Sequence, residues 1–245
     1  MLSNQLKLNA DKTHVLTLGT SQRLLQPGNK VNVVMDDIVL QEDLQHCETL
    51  LGCVIQSDLK WHQQISELQD KLKKRLAGLA HIKFILPLST RKIVSEGMFN
   101  SVLVYCLPLF GGCDVQEIKD LQILQNKAAR IVTHSPLRAN RERMFNDLGW
   151  LTVRQLVIYH TLLTVYRVRQ SKEPEYLSSV LCNESRLGKI IIPNTKLRLT
   201  QKSFTTRGAC NWNNLPSRIR NLKTLSSFKQ EVKVWIKGEV SRFLD

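Results

Sequence analysis

The spacing of apolar residues changes once along this chain, near residue 60. Before that point they fall in short runs rich in β-branched side chains: "HVLTLG" (14–19), "KVNVVM" (30–35), "IVL" (38–40) and "LLGCVI" (50–55). Runs of this kind, bounded by turn residues, predict strands, and "QPGNK" (26–30) supplies turn chemistry between the first two. From Trp61 onward the step becomes three or four. Ile65, Leu68, Leu72, Leu76, Leu79, Ile82 and Leu86 form one stripe on a long predicted helix, with Lys71, Lys73, Lys74 and Arg75 on its other face. Pro87 interrupts, and Ser89 is the expected N-cap of a second helix reaching about Leu107. "GGC" (111–113) breaks the pattern again. Asp114 followed by Glu117 reads as a capping box opening a third helix, which buries Ile118, Leu121, Leu124, Ala128 and Ile131 and presents Lys119, Lys127 and Arg130. "ANRERMFNDL" (139–148), "VRQLVIYHTLLTVYRVR" (153–169) and "SSFKQEVKVWIKGEVSRFL" (226–244) predict three more helices. The last places Phe228, Val232, Trp235 and Ile236 on one face.

Charge changes the picture more than composition does. The 245 residues carry 35 Lys and Arg against 21 Asp and Glu, a net charge of +14, which favours a polyanionic partner. The excess concentrates late in the chain. Between Glu184 and Glu231 there is no acidic residue, while Arg186, Lys189, Lys196, Arg198, Lys202, Arg207, Arg218, Arg220, Lys223 and Lys229 accumulate. Phe204 and Trp212 lie among them. Such a stretch suits phosphate contacts with base stacking; equally, the two aromatics are core residues and the charges a solvated face.

Several chemistries find no support. There is no phosphate-binding glycine loop, no dinucleotide fingerprint and no H-E-x-x-H zinc helix. Cys47, Cys53, Cys106, Cys113, Cys182 and Cys210 have neither zinc-module nor nucleophile spacing, so reduced, mostly buried thiols in an intracellular protein are expected. His160 falls in an apolar helix and reads as a core residue, whereas His62 opens the first long helix and reads as exposed. The longest apolar run, "SVLVYCLPLF", is about half of what a bilayer span needs, so no membrane partner is expected.

Six phrases occur in a telling order: "LKLNADKT" (6–13), "LLGCVIQSDLKWHQQI" (50–65), "LPLSTRKIV" (86–94), "LQILQNKAARIVT" (121–133), "LGWLTV" (148–153) and "KSFTTRGACNWNNLPSRIR" (202–220). Together they resemble the C-terminal part of reverse transcriptases from non-LTR, LINE-type, jockey-like retrotransposons, over nearly the whole chain. The resemblance implies an α+β fold: short antiparallel strands of a truncated polymerase palm, then a mostly α-helical thumb and C-terminal region. It implies a palm remnant with primer-grip strands over 1–60, a helical thumb over 61–135, and a helical, basic C-terminal region over 136–245. In the complete family enzyme, palm aspartates hold two Mg²⁺ ions. The family's catalytic hairpin precedes the "LN..KT" phrase, so it is expected upstream of Met1, and no catalytic residue or metal is expected in this chain. Asp36 and Asp37 in "VVMDDIVL" imitate that hairpin, but they follow "LNADKT" and only Asp11 precedes them, so a turn is expected there.

By the same resemblance Lys12 lies near the incoming nucleotide, and Leu51 and Gly52 form the primer-grip turn. Lys71, Lys74, Arg75, Arg91, Lys92, Lys127 and Arg130 are candidate phosphate contacts of the thumb. Arg198, Lys202 and Arg207 are the candidates in the basic C-terminal stretch. The expected function is non-catalytic binding of RNA or a template–primer duplex. The alternatives are part of an active reverse transcriptase, with the missing polymerase portion as a partner in trans, and a helical protein-interaction module.

Overall fold

The computed structural model describes residues 9, 13–24, 26, 33–35, 38–40, 47–186, 188–192, 194 and 196–238. The class is α+β, with helix predominating. Two compact units divide the chain, 1–66 and 67–245.

In the first unit a single helical turn, α1 (Ser21–Leu24), precedes two hairpins. Strands β1 (Val33–Met35) and β2 (Ile38–Leu40) pair antiparallel with Met35 opposite Ile38. Strands β3 (Cys47–Leu50) and β4 (Cys53–Gln56) pair with Leu50 opposite Cys53. That register leaves Leu51 and Gly52 as a two-residue loop, and both take positive φ, 50° and 78°. A tight loop of this hand matches the right-handed twist of the strands. Glycine adopts it freely; leucine does not. Cys53 and Val54 are buried, and the Val54 amide donates to Gln64 Oε1 at 2.7 Å. "HVLTLG" does not form a strand run; the Gly19 amide instead donates to the Ser57 carbonyl. The Asp36–Asp37 turn expectation lies outside the described residues, as do most of "QPGNK" and Lys12.

The long stripe helix is α2 (His62–Ile82), and Ile65, Leu68, Leu72, Leu76 and Leu79 on it are buried as the spacing requires, whereas Ile82 is half-buried at its last position and Leu86 lies beyond its end. In the second unit α3 (Leu88–Ser95) runs into a π-helical segment, Glu96–Asn100, and then α4 (Ser101–Val104). Ser89 is not the cap. Pro87 holds the N-cap position with an extended ψ of 160°, and the helix begins at Leu88. The run stops short of Leu107 because Tyr105 turns extended and Cys106 left-handed; α5 (Leu107–Phe110) then starts afresh around Pro108.

Helix α6 (Val115–Thr133) opens with the expected capping box, the Asp114 amide donating to Glu117 Oε2 at 2.8 Å. Its buried face is Leu121, Leu124, Gln125, Ala128, Ala129 and Val132, so Ile118 and Ile131 sit at the margin rather than the centre. Helix α7 (Arg141–Leu148) is capped by Asn140, whose side chain accepts from the Arg143 amide. Helix α8 (Val153–Ser171) has a capping box of its own, Thr152 with Gln155.

Around α8 pack α5, α6, α9 (Glu175–Leu181), α11 (Phe204–Asn214) and α13 (Leu225–Gly238). Its sequence reads apolar nearly all round because neighbours surround it. Gly208 lets α11 approach closely: a Cβ there would lie 2.8 Å from Val165 Cγ2. The short helices α10 (Arg198–Gln201) and α12 (Ser217–Arg220) link these elements. Tyr166, Trp212 and Phe228 stack, with centroids 4.2 Å apart for Tyr166–Phe228 and 5.9 Å for Trp212–Phe228. Phe228, Val232, Trp235 and Ile236 are all buried, as their spacing predicts. Phe204 packs against the same core. Stacking of bases on Trp212 is therefore excluded in this fold, since its ring is covered by Phe228 and by the Arg169 guanidinium.

Candidate nucleic-acid interface

Lysine and arginine on an amphipathic helix fall opposite the buried stripe, because an apolar interior excludes unpaired charge. On α2 this exposes Lys71, Lys74 and Arg75, which at i, i+3 and i+4 share one face. Lys71 Nζ lies 3.7 Å from Glu67 Oε2, and Lys73 Nζ lies 2.9 Å from Asp70 Oδ1. The Lys73 hydrogen bond, then its charge, holds the Asp70 carboxyl below its ordinary value. Among the described residues neither Lys74 nor Arg75 has an ion-pair partner. Lys127 is likewise exposed on α6.

Three other sequence candidates are placed differently. Arg91 is partly buried and spends its guanidinium on the protein: Nε donates to Val132 O at 2.9 Å, and Nη1 to Lys83 O and Leu86 O at 2.8 and 3.0 Å. Nη1 also reaches His134 Nε2 at 2.7 Å. Arg91 thus gathers carbonyls from the ends of α2 and α6. Lys92 is half-buried at a cavity of about 600 Å³ that also has Ser89, Thr133, Arg143 and Asp147 in its wall. Arg130 is half-buried, and its Nε is buried without a partner among the described residues.

In the basic C-terminal stretch only Arg198 among the three candidates is exposed. Lys202 pairs with Asp114 at 2.5 Å, and Arg207 is directed inward. Its Nε donates to Lys202 O at 3.0 Å and its Nη2 to Pro108 O at 2.7 Å. Burial pushes the Arg207 pKa down to about 10, so it carries its charge at neutral pH at a solvation cost. Arg220, in the same stretch, donates to Gly188 O at 2.6 Å. The primer-grip candidates Leu51 and Gly52 sit at the exposed tip of the β3–β4 hairpin.

No disulfide joins the cysteines, but only Cys53 is buried; Cys210 is exposed and the others intermediate, which corrects the expectation of mostly buried thiols. Burial, and then Glu117, push the Cys113 thiol up to about 12, which makes it a poor nucleophile. His160 is half-buried on α8 with its ring edge-on to Tyr159, at the margin of the core rather than within it.

Sequence reasoning passed over a second group of cations. Arg141, Arg154 and Lys237 line a cavity beside α7, and Arg143 lines the cavity on its other side. The local signal was "LRANRER" (137–143), a cluster of arginines opening a helix. It also passed over an apolar corner after α2, where Phe84, Ile85, Leu88 and Leu137 are 81%, 77%, 52% and 82% exposed.

Among the described residues no helix is long and apolar enough to cross a membrane. No protein-family model, no curated protein and no solved structure matches the chain.

Proposed function

We propose that this chain is a non-catalytic, nucleic-acid-binding piece of a non-LTR retrotransposon reverse transcriptase, and that it holds RNA or a template–primer duplex by its phosphates. One observation carries the reading: Lys71, Lys74 and Arg75 project from one exposed face of α2, in a chain of net charge +14. Cations on a straight helix track a phosphate backbone without reading sequence. The six phrases in family order support the lineage, and Mg²⁺ would belong to the complete enzyme.

The test is a binding isotherm on an RNA/DNA duplex over a salt series. Affinity should fall steeply with salt and depend little on sequence. The triple variant Lys71→Glu, Lys74→Glu, Arg75→Glu should bind more weakly and with a shallower salt slope. Salt-independent binding, or none at low salt, refutes the proposal.

A second reading, a protein-interaction module, draws on the exposed corner of Phe84, Ile85, Leu88 and Leu137. Under it the triple reversal leaves nucleic-acid retention unchanged. Under the third reading, part of an active polymerase, translation of the nucleotides upstream of Met1 should reveal an in-frame Tyr-x-Asp-Asp.

A further inference from the structure

Beside α7 lies a cavity of about 300 Å³ whose wall combines an apolar floor with a cationic rim. That volume is at the small end of the range for small-molecule sites. Phe145, Trp150 and Ile236 make the floor; they line the cavity and are otherwise buried in the fold. The two rings meet edge to face, centroids 6.2 Å apart, and the Trp150 amide donates to Phe145 O at 2.9 Å. Trp150 Nε1 is directed to Glu96 Oε1 at 3.4 Å, so the indole offers the cavity carbon rather than a donor. Gln155 braces the wall: Oε1 accepts from the Thr152 amide at 2.8 Å and Nε2 donates to Ile236 O at 3.5 Å. The floor is therefore fixed before anything binds.

The rim brings together three cations from three helices: Arg141 from the start of α7, Arg154 from the first turn of α8 and Lys237 from the end of α13. All three are exposed, and none has an ion-pair partner among the described residues. Glu142 is the one acid in the lining. Three cations against one acid leave the rim net positive, and an anion with several oxygens complements it; guanidinium forks suit phosphate in particular.

From the rim and floor together we infer that this cavity binds a nucleotide, its base against Phe145, Trp150 and Ile236 and its phosphate between Arg141, Arg154 and Lys237. An aspartate- or glutamate-rich peptide matches the rim but leaves the floor uncovered, because its carboxylates carry no ring. The inference goes beyond the duplex proposal: it needs neither the α2 face nor the retrotransposon resemblance. The nucleotide is either free or one unit of a single strand.

Titration of the full chain with AMP, UMP, inorganic phosphate, decauridylate and hexaglutamate tests it, read by calorimetry and by quenching of tryptophan fluorescence. AMP and UMP should bind saturably and more tightly than phosphate. Arg154→Ala and Lys237→Ala, which approach the cavity from different helices, should each weaken AMP binding, Arg154→Ala by about tenfold, the scale of one lost charge-assisted contact. Trp150→Phe should remove most of the quenching, and the α2 triple reversal should leave UMP affinity intact. Decauridylate binding more tightly than UMP, and competing with AMP, identifies the source as a strand; equal affinity identifies a free nucleotide. The inference is overturned by any of four results: no saturable nucleotide binding, phosphate binding as tightly as AMP, affinity unchanged in both charge variants, or hexaglutamate displacing AMP at lower concentration.

Discussion

The outer face of α2 and the acid-free stretch from Arg186 to Lys229 read alike in sequence, as basic tracts suited to phosphate, but they are built differently. On α2 the cations stand away from a buried stripe, and Lys74 and Arg75 form no ion pair among the described residues. In the later stretch Arg207 and Arg220 tie carbonyls distant in sequence, Pro108 of α5 and Gly188, while Lys202 pairs with Asp114 and Arg218 pairs with Glu231 at 2.6 Å. Of its aromatics, Trp212 and Phe228 are core and Phe204 packs against them. Residues that are basic in one region as an outward surface are basic in the other partly as internal struts. Density of charge along a sequence therefore does not measure charge available to a ligand.

The most direct way to break that comparison is Trp212→Ala. A core aromatic stacked on Phe228 should cost about 3–5 kcal/mol when truncated, read as a lower denaturant midpoint in urea. If Trp212 served as a stacking platform for bases instead, stability would hold and only nucleic-acid affinity would fall.

Next in size is Arg207→Ala, which leaves the carbonyls of Lys202 and Pro108 without their donor. A loss of about 1–3 kcal/mol is expected, less whatever is recovered by no longer burying a cation. Arg75→Ala is the matched control from the other region, with stability unchanged within about 0.5 kcal/mol, as for an exposed side chain without special contacts. Equal stability losses at the two sites would erase the distinction drawn between them.

The part of this difference that was legible in sequence is the part set by local spacing. The α2 stripe, the Asp114–Glu117 capping box and the four buried residues of α13 all follow from steps of three and four, or from a cap read within one turn. Thr152 and Gln155 carried the same kind of signal, a capping box four residues long. What local spacing does not contain is where a long side chain ends. Arg207 and Arg75 have the same chemistry in sequence; Pro108, which decides the fate of Arg207, lies 99 residues away. The convergence of Arg141, Arg154 and Lys237 on one cavity is likewise a product of three helix ends meeting. The strands were hardest. "HVLTLG" has β-branched composition yet contributes a single bridge residue, Val15, because strand propensity is realised through pairing over several residues.

The smallest effect, and the one that probes the interior by its acid sensitivity, involves His160 on α8, the helix against which α11 and α13 pack. Burial, and secondarily the positive charge of Arg167, hold its pKa below the ordinary 6.5. In the unfolded chain the imidazole takes up its proton at the ordinary value. As pH falls below about 6.5 the unfolded state therefore binds more protons than the folded one, and stability declines until pH has passed the lowered folded pKa. The slope for one such group cannot exceed about 1.4 kcal/mol per pH unit. His160→Gln should flatten this part of the profile, seen as a smaller drop in the urea midpoint between pH 6.5 and 5. A reversal confined to Lys74 and Arg75 should leave that drop in place, since both stand on the exposed face of α2 and neither touches the ring. If the histidine variant keeps the full drop, the acid sensitivity arises elsewhere, and His160 is no deeper in the fold than the cations of α2.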